Sequence, residues 1–258
     1  MRKLIVANWK MNPESEGQAG RLLRAVLGAA KKKRDIDLIF CLPFPWLTVF
    51  TNKEKERVSF GAQNVFWEDS GAFTGEVSPV MLKNSGVEYV IIGHSERRKY
   101  LAETDEMVAK KVAACFRNGL TPIICLGGGL SSGDGSAKIK QVLKSQLQGA
   151  FTHAKKIQKT ILVYEPTWAI SAFGGQAVRP KHAAEIAVYL KGIFSKIATP
   201  SRARATPVIY GGSADEKSGP EILRTREVDG LLVGAASLNS VKFKKLLSGI
   251  RNEQSINN

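Results

Sequence analysis

The chain has 258 residues, 43% of them hydrophobic and 24% charged, and its 38 basic and 23 acidic residues give a formal net charge of +15. These proportions are those of an ordinary globular protein and exclude collagen-like, disordered and disulfide-scaffold classes. Cys41, Cys115 and Cys125 are too sparse, and odd in number, for a disulfide framework. With only His94, His153 and His182 beside them, no zinc-site spacing is present, and no metal is expected. The longest nearly apolar run, 38–50, contains Pro43 and Pro45 and is too short to span a bilayer. Only Leu4, Ile5, Val6 and Ala7 follow Arg2 and Lys3, too few for a secretory core. A cytoplasmic protein with no membrane partner is expected.

A charge of +15 admits nucleic acid, anionic lipid or small anionic substrates. The basic residues cluster as Lys31-Lys32-Lys33-Arg34, Lys110-Lys111, Lys155-Lys156 and Lys244-Lys245, which reads as solvated helix faces. The charge therefore names no partner, and nucleic acid is not expected.

In chain order, short runs rich in Val, Ile and Leu fall at 4–8, 38–42, 58–64, 89–93, 122–126, 161–165, 207–210 and 230–233. Most are continuous rather than alternating, as strands buried on both faces should be. Helical periodicity lies between them at 19–30, 104–118, 139–156 and 181–197. Strand, helix, strand, repeated eight times, predicts an α/β protein with a closed (β/α)8 barrel over 1–248 and a polar tail at 249–258. An open doubly wound sheet is second, since no G-x-G-x-x-G follows the first strand. The Gly127-Gly128-Gly129 cluster has Ser132 where the last glycine belongs, and Asp134 after Gly133 excludes a Walker lysine.

In such a barrel the chemistry sits where the strands end. The first ends in Asn8-Trp9-Lys10, the fourth in Gly93-His94-Ser95-Glu96 and the sixth in Glu165-Pro166. A lysine, a histidine and a glutamate thus converge on one mouth. Glycine-rich turns after the seventh strand (Gly211-Gly212-Ser213) and the eighth (Gly234-Ala235) can cradle a phosphate with backbone N–H groups. A carboxylate to take a proton, an imidazole and a cation for an enolate oxygen, and a phosphate grip suit proton abstraction beside a carbonyl. No redox cofactor or metal is needed for it. The stretch Pro166-Thr167-Trp168-Ala169-Ile170-Ser171-Ala172-Phe173-Gly174-Gly175 resembles a mobile lid that would keep water from such an intermediate.

Seven motifs in order carry a resemblance. They are Asn8-Trp9-Lys10-Met11-Asn12, Gly61-Ala62-Gln63-Asn64, Thr74-Gly75-Glu76-Val77-Ser78-Pro79, Gly93-His94-Ser95-Glu96-Arg97-Arg98, Tyr164-Glu165-Pro166-Thr167-Trp168-Ala169-Ile170, Tyr210-Gly211-Gly212-Ser213 and Val233-Gly234-Ala235-Ala236-Ser237-Leu238. Together they resemble the triosephosphate isomerase family over nearly the whole chain. The resemblance implies a single TIM barrel that interconverts dihydroxyacetone phosphate and D-glyceraldehyde 3-phosphate in glycolysis and gluconeogenesis, without cofactor or metal. It makes Glu165 the base, His94 the neutral electrophile and Lys10 the oxyanion-stabilising charge, with Asn8 and Glu96 assisting Lys10. The backbone at Ser171, Ser213, Gly234 and Ala235 would bind the phosphate. It further implies a homodimer in which the stretch 64–79 reaches into the partner and places Thr74 near its site. Departures from the family pattern are Gly128 in place of a glutamate, and Ser171, Phe173, Ala235 and Ala102 in place of glycines. A non-catalytic phosphate- or nucleic-acid-binding barrel with altered lid loops is the alternative.

Overall fold

The computed structural model describes residues 2–30, 33, 35–54, 58–170, 173, 175 and 177–250. Eight strands and ten helices alternate among them: β1 (Lys3–Asn8), α1 (Glu16–Ala30), β2 (Ile36–Leu42), α2 (Phe44–Glu54), β3 (Ser59–Ala62), α3 (Pro79–Asn84), β4 (Tyr89–Ile92), α4 (Ser95–Leu101), α5 (Asp105–Arg117), β5 (Thr121–Leu126), α6 (Ser136–Gly149), β6 (Ile161–Tyr164), α7 (Pro180–Phe194), α8 (Pro200–Ala205), β7 (Val208–Tyr210), α9 (Ser218–Leu223), β8 (Gly230–Val233) and α10 (Ser240–Gly249). Every strand pairs in parallel with its sequence neighbours, and β1 closes the sheet on β8, with Leu4 opposite Gly230 and Ala7 opposite Val233. The barrel expected from the repeated unit is present, and the open sheet is not. Closure requires a glycine at the last seam, because a Cβ on Gly230 would lie 1.9 Å from the carbonyl oxygen of Leu4.

The continuous apolar strands have a use for both faces. Val6, Ile39, Cys41, Ile91, Ile123, Cys125, Val163, Ile209 and Leu232 fill the barrel interior. Their alternates, among them Ile5, Phe40, Val90, Ile124 and Leu231, meet the helices in a larger outer layer. This is the two-faced burial that a parallel sheet demands.

Local signals set the boundaries. The apolar run 38–50 is one strand and one helix, divided at Pro43. Thr104 caps α5 by accepting from the Met107 N–H, and Ser78 caps α3 in the same way from Met81. The helix expected over 139–156 is shorter at its end: α6 stops at Gly149, and Phe151 turns into the core while the Thr152 hydroxyl donates to the Gly149 carbonyl. At the C-terminus, α10 includes Gly249 and Ile250 is buried, so the barrel takes two residues assigned to the tail; 251–258 lie outside the described residues. Lys31, Lys32 and Arg34 lie outside them as well. Lys111 corrects the reading of basic pairs as solvated faces. It is 2% exposed, and its Nζ donates to Glu103 Oε2 and Asn64 Oδ1, each at 2.8 Å.

Candidate active site

Three strand ends carry the candidate reactive groups Lys10, His94 and Glu165. Lys10 follows β1 with φ 54°, one of two non-glycine residues in the left-handed region among the described residues. Asn8 steadies that turn, its Oδ1 accepting the Lys10 N–H at 3.0 Å. The ammonium of Lys10 then donates to Glu96 Oε1 on α4.

His94 sits at the head of α4 as its N-cap. Its Nδ1 accepts the backbone N–H of Glu96 at 3.2 Å, which leaves Nε2 as the nitrogen that carries hydrogen. That Nε2 lies 2.8 Å from Glu165 Oε1. Ser95 completes the corner: its N–H donates to Glu165 Oε2 at 3.0 Å and its hydroxyl to Oε1 at 3.2 Å. Glu165 is 1% exposed, so its charge depends on these donors. Burial pushes the carboxyl upward, but His94 and the Ser95 N–H outweigh it, and the group is held below the usual carboxylate range. Burial likewise pulls His94 down, against the stronger upward pull of Glu165 and Glu96. A second proton on the ring would have to sit on Nδ1, facing the Glu96 N–H, and that contact opposes it while α4 keeps its cap.

Lys10, His94 and Glu165 line one cavity of about 250 Å³. Its far wall is Gly211, Gly212, Ser213, Gly234 and Ala235, so the two glycine-rich turns face the reactive trio. Ala235 opens a 3-10 turn (Ala235–Leu238) and needs no left-handed φ, which is why alanine is accepted there. The Ser213 N–H donates to the Ala169 carbonyl at 2.5 Å. An anion would reach that amide only after Ala169 moves. Ser171 lies outside the described residues.

Residues on either side of the stretch 171–176 are held at several points. Thr167 donates to the Gly127 carbonyl and accepts the Gly129 N–H, and the Val178 N–H donates to the Tyr210 hydroxyl at 3.3 Å. Phe173 packs beside Tyr100 with ring centroids 5.9 Å apart, under the ammonium of Lys99. A Cβ on Gly128 would stand 2.4 Å from the Arg98 side chain, so Arg98 fills that space and pairs with Asp105 instead, at 2.6 Å. Ala102 holds φ 51° at the end of α4, a conformation that accounts for the glycine usual there.

On the other side of Lys10 is an apolar groove of about 440 Å³ lined by Met11, Phe44, Tyr100 and Leu101 together with Asn8 and Glu96. Met11 is 93% exposed. The stretch 64–79 is folded on itself, with Phe66 against Phe73 at 4.6 Å and the Phe66 N–H donating to Val77, and it presents Thr74 at an exposed tip.

Sequence reasoning missed the part Ser95 plays, although it adjoins His94; only the fold reveals that its two donors meet Glu165. It also missed Ile170 and Leu232, which give the cavity its apolar wall. Leu232 was accessible through the alternation of β8; Ile170 carries no such signal. Among the described residues no group of three or more His, Cys, Asp or Glu could hold a metal ion.

The family model for triosephosphate isomerase matches residues 3–250. A triosephosphate isomerase of Alkaliphilus oremlandii is 38% identical over 255 residues, covering 96% of this chain and 100% of the relative. Those of Dictyoglomus thermophilum and Aquifex aeolicus are each 36% identical, over 94% and 96% of this chain and 97% and 99% of their own lengths. The chain belongs to the triosephosphate isomerase family.

Proposed function

We propose that the chain interconverts dihydroxyacetone phosphate and D-glyceraldehyde 3-phosphate through an enediolate. The observation that carries the reading is the single cavity in which Glu165, His94 and Lys10 face the turns after β7 and β8. Family membership and the names of the relatives support the same reaction. Glu165 takes the proton from the carbon beside the carbonyl and returns it to the neighbouring carbon. His94 donates from Nε2 to the oxygen that gains charge, and Lys10, held by Asn8 and Glu96, stabilises that charge. Ser171, Ser213, Gly234 and Ala235 bind the phosphate through backbone N–H groups, which supplies binding energy away from the reacting carbons.

In the resting arrangement both Glu165 oxygens are engaged by His94 and Ser95. To act as a base the carboxylate must leave Ser95 and turn into the cavity. There it loses two donors in a dry site, which makes it more basic at the moment of use.

The apolar groove beside Lys10 and the self-stapled stretch 64–79 support a homodimer in which Thr74 of one subunit reaches the groove of its partner. The barrel acts in the cytoplasm, in glycolysis and gluconeogenesis, and requires no cofactor. A non-catalytic barrel has no use for a buried carboxylate aimed from a histidine toward a phosphate cradle, so the alternative is not favoured. The test is isomerisation of glyceraldehyde 3-phosphate by purified protein, coupled to reduction of the ketone product. Turnover that disappears in Glu165→Gln is expected; a folded, dimeric protein with no turnover overturns the proposal.

A further inference from the structure

The positive charge is concentrated at the end of the barrel away from the cavity. The segments 150–160 and 195–207, which lead into β6 and β7, hold Lys155, Lys156, Lys159, Lys196, Arg202 and Arg204 and no carboxylate. Five of these six are exposed and Arg202 is half-buried; none takes part in an ion pair among the described residues. On the mouth side the segments 9–15, 63–78, 93–104, 127–135, 165–179, 211–217 and 234–239 hold ten carboxylates and six basic residues. A field arranged to draw a triose phosphate into the site would have the opposite polarity. Substrate steering therefore does not explain these six cations.

Two of them line a groove. Phe151, Ala154 and Ile157 from one segment and Ile197, Ala198 and Thr199 from the other line an open cavity of about 430 Å³, with Lys155 and Lys156 among its walls. Lys196 adjoins the second wall in sequence, and Arg202 is tied to it by its N–H bond to the Thr199 hydroxyl. We propose that this end of the barrel binds the phosphodiester backbone of a nucleic acid, independently of base sequence. A groove walled by Lys155 and Lys156, with Lys196 and Arg202 next to its other wall in the chain, receives a narrow ridge of phosphates, whereas a flat anionic bilayer meets only its rim. Lysines, as flexible point charges, grip a backbone without reading bases. The position leaves the catalytic mouth open, so binding and turnover are compatible. This departs from the expectation that the basic pairs are merely solvated faces.

The test is fluorescence anisotropy with a labelled duplex DNA and a single-stranded RNA of matched length, across rising salt. Two triple variants of equal net charge are compared: Lys155→Glu/Lys156→Glu/Lys196→Glu at the groove, and Arg21→Glu/Lys140→Glu/Lys245→Glu on the outer faces of α1, α6 and α10. The groove variant is expected to bind at least about tenfold more weakly than the unaltered protein and with a shallower salt dependence. The outer-face variant should lose less than about threefold, since those charges lie beyond the contact and are screened. Unchanged melting temperature and isomerisation rate serve as checks of folding for both. Should the groove triple fail to fold, single Lys155→Glu and Lys196→Glu variants decide, each expected to weaken binding while Lys140→Glu does not. Equal weakening by the two triples, no binding at low salt, or groove-dependent binding to phosphatidylserine vesicles without binding to either nucleic acid overturns the proposal.

Discussion

The corner between β4 and β6 and the phosphate side of the cavity are built on different terms. At the corner the polar side chains are held by neighbours: Glu165 by His94 and Ser95, His94 by Glu96, and the Gly93 N–H before it by Glu103 Oε1 at 2.9 Å. Behind it Glu103 also binds Arg97 and the buried Lys111. The phosphate side consists of backbone turns, one of whose amides is already bonded to the Ala169 carbonyl, and it tolerates Ala235 in place of glycine. The contrast teaches that side-chain chemistry must be held by neighbours in fixed number, whereas a backbone cradle asks only for a permitted φ and an N–H. The departures from the family pattern, at Gly128, Ser171, Phe173, Ala235 and, at the end of α4, Ala102, fall on none of Lys10, His94 and Glu165.

The largest effect should come from the corner. Glu165→Gln keeps the shape and removes the base, and kcat should fall by about 10³-fold with little change in phosphate-analogue affinity. Turnover within tenfold of the unaltered protein would dissolve the distinction between the two regions.

Glu103→Gln tests the support behind the corner. It leaves Lys111 buried without a counter-charge and should cost about 3–5 kcal/mol in denaturant unfolding. Burial raises the Glu103 carboxyl, but Lys111 and Arg97 outweigh it and hold it below the usual range. Its contribution is therefore present above the ordinary carboxylate pKa and lost as pH falls through the lowered one. The unaltered protein should lose more stability on acidification than Glu103→Gln does, as read from melting temperature against pH.

Ser95→Ala sharpens the comparison within the corner itself. It removes the hydroxyl donor to Glu165 and keeps the N–H, so the carboxylate is held down less firmly. The acid limb of kcat/KM should move to higher pH, while kcat at neutral pH changes by less than about tenfold. An unmoved limb would separate Ser95 from the base.

The smallest effect belongs to the backbone. Ala102→Gly relieves the left-handed φ at the end of α4 and should stabilise the protein by about 0.5–1 kcal/mol. A loss of stability would mean that the Ala102 methyl contributes more than its strain removes.

Much of this was legible because a parallel barrel leaves plain marks. Buried strands read as unbroken aliphatic runs, and strand ends at Asn8, Ile92 and Tyr164 place Lys10, His94 and Glu165 at one mouth by topology alone. Three kinds of feature were not legible. Where an amphipathic pattern continues past the physical helix, as after Gly149, only the turn of Phe151 into the core ends it. A charge deep in the wall, such as Lys111, reads as surface until its partners Glu103 and Asn64, eight and 47 residues away, are brought to it. The hold of Ser95 on Glu165 spans 70 residues of sequence and depends on the orientation of two strand ends, which periodicity does not encode.

The most direct test of the central claim follows the proton itself. Dihydroxyacetone phosphate would be incubated with the protein in deuterated water, and exchange at the carbon beside the carbonyl read by NMR. Deuterium should enter with the unaltered protein and not with Glu165→Gln. Equal exchange in the variant would contradict proton transfer through Glu165.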